Sequence, residues 1–200
     1  MRYYIITRQG YEHRYKQARE ELGSIGIEPV KVMAFDGELL GVKPSSPHDL
    51  FADGSPHYMH PVQLATCLSH HLALRIALHD GDTPFVIFED DVVVCDGAVD
   101  NLKAIEREMR GIDLVQLEYC CHEDKPKEQI TAHLSRCQFP LCTAAILWTK
   151  KAAEFALSNM RPLKSPIDIL MATTVYPFVS HAIATKMVFR QRNAPQIHTP

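Results

Sequence analysis

Three consecutive carboxylates, Glu89, Asp90 and Asp91, directly follow a short apolar run, Phe85-Val-Ile-Phe88. Such a run is typical of a strand covered on both faces, and open α/β sheets bind ligands beyond the carboxyl ends of their strands. If the strand continues, Glu89 and Asp91 face one side and Asp90 faces the other. Adjacent like charges repel unless a cation relieves them, and carboxylate oxygens suit Mg²⁺ or Mn²⁺. The triplet therefore predicts a divalent-metal site, with a solvated acidic turn as the alternative.

Strand-like and helical patterns alternate along the chain and must position this triplet. The patterns predict strands at 2–7, 29–35, 85–88, 113–119, 141–149 and 183–189, and helices at 12–22, 61–79, 98–110, 150–160 and around residue 168. Such alternation predicts one α/β sandwich domain over residues 1–200 with a mostly parallel central sheet.

Composition excludes several classes of protein. With 46% hydrophobic and 22% charged residues the chain is an ordinary globular one, and its net charge of −3 argues against a general nucleic-acid binder. The six cysteines form no C-x-x-C pair, which predicts buried free thiols in a reducing compartment. We see neither a signal peptide nor an apolar run of about 18 residues, so we expect a cytoplasmic protein.

Several motifs, in order along nearly the whole chain, resemble glycosyltransferase family 25, the lipooligosaccharide and procollagen sugar-transferase group. They are Tyr3 to Arg14, Ala34-Phe-Asp-Gly37, Leu68-Ser-His70, Asp80-Gly81, Val86-Ile-Phe-Glu-Asp-Asp-Val92, Thr143 to Thr149 with Ala152, and Pro162 to Asp168. The sequence departs from the family at Val62-Gln63-Leu64, where the family usually has Gly-Glu, and at Ile146, where it has tyrosine. These departures could alter the choice of donor or acceptor.

The resemblance implies a GT-A-type, Rossmann-like domain that moves a hexose, galactose or glucose, from a UDP-sugar with inversion and with Mn²⁺ or Mg²⁺. Asp91, with Glu89 or Asp90, would then hold a metal that stabilises the negative charge growing on the leaving diphosphate. Inversion by single displacement also needs a general base on the face opposite the leaving group. Asp168 is the preferred base, and its alternative role is to stabilise the N-terminus of its helix.

The same resemblance places the donor nucleotide beside the first strand. Thr7, Arg8 and Arg14 follow that strand, and arginine pairs with phosphate oxygens through its fork of donors. For Arg14 a solvated helix face is the alternative. Asp36 and Gly37 contact the ribose or the base in this interpretation, and otherwise only form a turn.

Two histidines complete the candidate site. His70 is expected near the donor diphosphate or behind the carboxylates Glu89 and Asp90, which themselves adjoin the donor; a satisfied core histidine is the alternative. His181 is a candidate late metal ligand, as histidines near the end of GT-A chains sometimes are.

The implied acceptor is a glycan or glycolipid, such as lipooligosaccharide or another surface glycan, and residues 41–60 and 122–136 are expected to select it. Because such acceptors lie at the inner face of the cytoplasmic membrane, we hypothesise a peripheral membrane contact through Lys186 to Arg192, where Met187, Val188 and Phe189 lie between basic residues. The alternative is a terminal strand with solvated ends.

Two other functions compete with sugar transfer. One is a non-catalytic paralogue that binds a sugar nucleotide or glycan; the intact acidic residues argue against it. The other is a nucleotidyltransferase on the same fold, for which a glycine-rich N-terminal signature is expected, and Thr7-Arg-Gln-Gly10 matches that poorly.

Overall fold

Strands and helices alternate in this computed structural model, which describes residues 1–41, 59–81, 83–119, 127–137, 141–161, 163 and 165–192. The strands in these ranges are β1 Arg2–Thr7, β2 Val30–Met33, β3 Phe85–Glu89, β4 Val92–Val94, β5 Leu114–Gln116, β6 Glu128–Gln129, β7 Leu134–Arg136, β8 Ala145–Trp148, β9 His181–Ala184 and β10 Phe189–Gln191. The helices are α1 Glu12–Gly23, α2 Pro61–Asp80, α3 Ala98–Glu108, α4 Lys150–Asn159 and α5 Ile167–Thr174, followed by a 3-10 turn at Tyr176–Phe178.

Eight strands form the central sheet, in the order β2-β1-β3-β8-β5-β9-β7-β6. The pairs β1–β2, β1–β3 and β5–β9 are parallel, whereas β8 and β7 run antiparallel to their neighbours. Six of the eight strands therefore point the same way, and the predicted mostly parallel sheet is confirmed. The remaining two strands, β4 and β10, form a separate antiparallel ribbon.

The sheet separates two apolar layers, and β3 contributes to both. Phe85 and Ile87 pack with α2, α4 and α5 on one face, while Val86 and Phe88 pack with α1 and α3 on the other. All four side chains are buried, as expected for a strand covered on both faces. This alternation directs the next residue, Glu89, towards the face that carries α2.

Helix α2 begins at the carboxyl end of the sheet because its first turn is capped there. The His60 ring nitrogen Nδ1 accepts a hydrogen bond from the Val62 N–H at 3.3 Å, and Gln63 Oε1 accepts one from the His60 N–H at 2.9 Å. Pro61 fits the first helical position, where an N–H would lack a partner in the helix. The helix ends at Gly81, whose φ of 79° suits glycine.

Two chain segments differ from their predicted structure. Part of the polar stretch 122–136 forms the hairpin β6–β7, which carries little apolar patterning because it lies at the edge of the sheet and both β6 residues are exposed. The single strand predicted at 183–189 is instead two strands, β9 in the sheet and β10 against β4. Residues 42–58 and 122–126 of the two expected acceptor loops lie outside the described residues.

The expectation of free thiols is correct for three cysteines and wrong for a fourth. Cys67, Cys95 and Cys137 form no disulfide, but Cys142 is disulfide-bonded. Pairing depends on which thiols meet in space, and the cysteine spacings along the sequence carry no signal for it.

Two of the three apolar residues in the hypothesised membrane contact, Lys186 to Arg192, are buried. Val188 and Phe189 have no exposed surface because they pack in the layer beneath α3, so they cannot enter a lipid interface. Among the described helices, none combines the length and the apolar character required to cross a bilayer.

Candidate functional site

The carboxyl ends of β1, β2 and β3 meet the first half of α2 around a cavity of about 410 Å³. Seven of the predicted site residues line it: Thr7, Arg8, Arg14, Gly37, His70, Glu89 and Asp90. The structure therefore brings together most of the residues that the sequence placed near a donor nucleotide.

Strand geometry ends at Glu89, and the other two carboxylates lie in a turn. Asp90 accepts a hydrogen bond from the buried Thr7 hydroxyl at 2.8 Å, and its other oxygen lies 2.7 Å from Arg14 Nη2. Asp91 Oδ2 lies 3.2 Å from the same nitrogen. The expected alternation of faces is thus wrong for Asp91, which shares the Arg14 guanidinium with Asp90 because the chain turns there.

Glu89 is held by two hydrogen-bond donors that contact the same carboxylate oxygen. His70 Nε2 lies 3.0 Å and the Thr143 hydroxyl 2.6 Å from Glu89 Oε1. Burial alone would raise the pKa of Glu89, but the hydrogen bond and charge of His70 together with the Thr143 hydrogen bond lower it. Because an ionised carboxylate only accepts, His70 Nε2 must carry the hydrogen. The structure thus places His70 behind Glu89, and the same contact also fits the alternative of a buried histidine with a satisfied partner.

A fourth carboxylate, Glu118, lies near the triplet and was not predicted from the sequence. Its side chain is buried, and burial, with the charge of Glu89, raises its pKa well above the ordinary value for glutamate. Glu118 and Gln116 interrupt the apolar stretch Leu114-Val-Gln-Leu-Glu118 at alternate positions, on one face of the strand and its extension. Two polar residues spaced in this way in a buried strand were a signal that could have identified both.

Asp91 fits the metal role predicted for it. Burial and the charge of Glu89 raise its pKa to about 6 despite the opposing charge of Arg14. Its Oδ1 atom is buried and has no hydrogen-bond partner among the described residues, so a cation would satisfy it. In the part of the chain that the structure describes, no three histidine, cysteine, aspartate or glutamate side chains converge on one point. Glu89 lines the cavity and Asp91 does not. Proteins hold Mg²⁺ through one or two carboxylates plus substrate phosphates and water, and Asp91 and Glu89 are the carboxylates available for that role.

Two arginines and a tyrosine form the basic wall of the cavity. The Arg8 guanidinium carbon lies 4.2 Å and that of Arg14 5.6 Å from the centre of the Tyr11 ring. Both arginines line the cavity, which places positive charge beside the carboxylates. Tyr11 has no role in the sequence-based interpretation, because a single aromatic residue at the start of a helix carries no recognisable pattern.

The two residues predicted to contact the ribose or base behave differently. Asp36 Oδ1 accepts a hydrogen bond from the Glu38 N–H at 2.9 Å and lies 3.5 Å from Arg8 Nη1, and Asp36 does not line the cavity. The structure thus gives Asp36 the role of a turn residue. Gly37 lines the cavity, and a Cβ atom there would lie 2.8 Å from the backbone of Pro61, so only glycine allows this close approach to α2.

Asp168 and His181 lie away from the cavity wall. Asp168 is in the first turn of α5, close enough to Cys67 that its charge contributes to raising the Cys67 pKa, to about 12, second to burial. Cys67 precedes His70 by about one turn of α2, so Asp168 lies towards the carboxyl end of the sheet. His181, in contrast, pairs with Leu114 at the start of β5, level with Phe85 at the amino end of β3. The structure does not bring His181 to the carboxylates.

The raised pKa of Asp91 predicts a pH-dependent stability. With a pKa of about 6 in the folded chain and an ordinary value of 3.8, the folded protein holds a proton between these values that the unfolded chain has lost. The free energy of unfolding therefore falls as pH rises through this window, by about 3 kcal/mol for two pKa units. We expect metal-free Asp91→Asn to be more stable than the wild type at pH 7.5, and this difference to vanish near pH 4.

Calorimetric melting of both proteins in EDTA at several pH values checks this expectation. Asp96→Asn is the matched control, since Asp96 is exposed on the same segment. Equal melting temperatures of Asp91→Asn and wild type at pH 7.5 would show that the folded state does not raise the pKa of Asp91.

Comparison with known proteins shows likeness at the level of fold. No protein-family model and no curated protein sequence matches the chain. Its structure is similar to that of A197 from STIV, with a TM-score of 0.50, 12% sequence identity and coverage of 100% of this chain and 98% of that one. A glycosyltransferase involved in the glycosylation of the major capsid of PBCV-1 matches with a TM-score of 0.48, 15% identity and coverage of 92% and 82%. The inositol-1-phosphate CTP transferase from T. maritima matches with a TM-score of 0.45, 12% identity and coverage of 97% and 71%.

At these identities a structural match shows the fold alone. The strand order, the strand directions and the helices on both faces confirm the predicted fold class, an α/β, GT-A-type Rossmann-like sandwich with a mostly parallel central sheet.

Proposed function

We propose that this chain is a metal-dependent glycosyltransferase of family 25, an inverting enzyme that moves galactose or glucose from a UDP-sugar to a glycan acceptor. The observation that carries the proposal is the cavity at the carboxyl ends of β1 and β3, which the arginines Arg8 and Arg14 line together with the carboxylates Glu89 and Asp90. A diphosphate needs such cationic partners, and a divalent metal needs such oxygens. The order of sequence motifs supports the choice of family.

In this proposal, residues around the cavity have separate roles in the cleavage of the glycosyl bond. Negative charge grows on the diphosphate as the glycosyl bond breaks, and Arg8 and Arg14 offer forked donors to its oxygens. Asp91 and Glu89 would hold the divalent ion, Mn²⁺ or Mg²⁺, which when bound supplies Lewis-acid stabilisation of the same charge. Asp90 serves this arrangement by orienting Arg14 and by anchoring Thr7 at the end of β1.

The acceptor side of the reaction is assigned to Asp168. In the proposal its carboxylate accepts the proton of the attacking acceptor hydroxyl, on the face of the sugar opposite the leaving diphosphate. The acceptor is a glycan or glycolipid, with lipooligosaccharide or another surface glycan as the expected class, and the proposal includes a cytoplasmic location.

The test is an assay of UDP release with Mn²⁺, a panel of UDP-sugars, and glycan acceptors present or absent. Release that requires one donor and one acceptor supports transfer. Tight donor binding without release would favour a non-catalytic binding protein. Val62, which departs from the family pattern and lines the cavity, is the residue that supports this alternative. Release of pyrophosphate from a nucleoside triphosphate and a sugar phosphate would favour a nucleotidyltransferase instead.

A further inference from the structure

Two hydrogen-bond donors fix the orientation of the Glu89 side chain. Both of its donors, His70 Nε2 at 3.0 Å and the Thr143 hydroxyl at 2.6 Å, meet the same oxygen, Oε1. Glu89 Oε2 has no hydrogen-bond partner among the described residues. The side chain is thus fixed through Oε1, Oε2 is left available to a further ligand, and 24% of the side-chain surface is exposed.

Thr143 belongs to a short segment, residues 141–145, that is held from beneath by Gln116. The Gln116 amide nitrogen donates to the carbonyl oxygens of Leu141 and Cys142, the latter at 2.8 Å. The Tyr176 hydroxyl donates to Gln116 Oε1 at 2.9 Å. Because that bond requires the amide oxygen to face Tyr176, it also fixes which end of the amide faces the segment.

Glu118 holds the other end of the same segment. Its Oε1 atom accepts hydrogen bonds from the backbone N–H groups of Ala144 and Ala145, the latter at 3.2 Å. At the Gln116 contact, Cys142 adopts a φ of 70°, a left-handed conformation that a residue with a side chain keeps only where its surroundings impose it. Gln116 and Glu118, both buried, therefore fix the backbone on either side of Thr143.

We propose that Thr143, supported by Gln116 and Glu118, is a positioning residue that turns Glu89 Oε2 towards the divalent metal and the donor diphosphate. None of the three need contact the substrate. The inference rests on the proposed function, since it assumes that Glu89 serves a metal, and it adds a layer of residues that act on the metal only through Glu89. Hydrogen-bonding partners of metal ligands typically change metal affinity by about 10–100-fold when removed.

The test is the affinity for Mn²⁺ in the presence of UDP, measured by electron paramagnetic resonance of free Mn²⁺. Thr143→Val keeps the shape of the side chain and removes the hydroxyl, so we expect about a 10–100-fold loss of affinity. Thr143→Ser restores the donor and should bind Mn²⁺ nearly as the wild type does. Thr173→Val, the same change on an exposed position of α5, is the matched control and should have no effect.

A second variant tests whether Gln116 holds residues 141–145 in place. Tyr176→Phe removes only the hydroxyl that orients Gln116, and we expect a smaller but measurable loss of Mn²⁺ affinity, since the segment loses one of its restraints. A purely structural role for these residues would lower the melting temperature and leave the affinity of the folded protein unchanged.

The outcomes separate the inference from the function on which it rests. Wild-type protein that binds Mn²⁺ with UDP, together with folded Thr143→Val that binds it equally well, would overturn the inference and leave the proposed function standing. A wild type that binds no Mn²⁺ at all would overturn both.

Discussion

Replacing Asp91 by Asn is expected to lower the turnover number by about a thousandfold or more. The substitution keeps the size of the side chain but removes its charge. The Oδ1 atom of Asp91 is buried and has no hydrogen-bond partner in the part of the chain that the structure describes. Lewis-acid stabilisation of a leaving group supplies several kcal/mol of transition-state stabilisation, and each 1.36 kcal/mol corresponds to about tenfold in rate.

The measurement is UDP release by Asp91→Asn under saturating Mn²⁺ and donor, beside wild type and Asp96→Asn. Asp96→Asn removes a carboxylate five residues away on an exposed turn, so it should retain wild-type turnover. Since metal-free Asp91→Asn is also expected to be the more stable protein at neutral pH, a loss of activity cannot be attributed to unfolding. Turnover near the wild-type value in Asp91→Asn would refute the metal assignment.

Asp168→Asn is expected to lower the rate of transfer by about 10²–10⁴-fold, the range typical of a missing general base. Binding of Mn²⁺ and UDP should not change, because Asp168 lies on α5 and does not line the donor cavity. Single-turnover transfer combined with a UDP titration separates these two quantities.

The matched control is Asp100→Asn, which removes the acidic residue from the first turn of α3. If Asp168 only stabilises the N-terminus of its helix, the two variants should lose similar, small amounts of stability and no activity. That result would remove Asp168 from the catalytic assignment.

The sequence was sufficient to predict how the main elements position the carboxylates. The apolar run 85–88 and its acidic end predicted a doubly covered strand that delivers Glu89 to the carboxyl edge of the sheet, and β3 does so. The alternation failed only at Asp91, where the chain turns and Arg14 draws both aspartates to one side. The alternation of side chains predicts a strand well, but it does not predict the direction of the turn that follows the strand.

Other parts of the site depend on contacts between segments far apart in the chain. Thr143 reaches Glu89 across 54 positions, and Gln116 reaches Cys142 across 26. No local pattern encodes such pairs, although polar residues within an apolar strand indicate that partners must exist. The prediction for His181 failed for a related reason. Its position late in the chain suggested a metal ligand, but the parallel pairing of β9 with β5 places it at the end of the sheet opposite the carboxylates.

In the proposed function, Arg8, Arg14, Glu89 and Asp91 form one site for a nucleoside diphosphate and its metal. Calorimetric titration of UDP into the wild-type protein, in Mn²⁺ and again in EDTA, tests this proposal. We expect one UDP to bind per chain in Mn²⁺, and binding to be lost in EDTA and greatly weakened in Asp91→Asn. Absence of UDP binding in Mn²⁺, or equal affinity with and without the metal, would contradict the account.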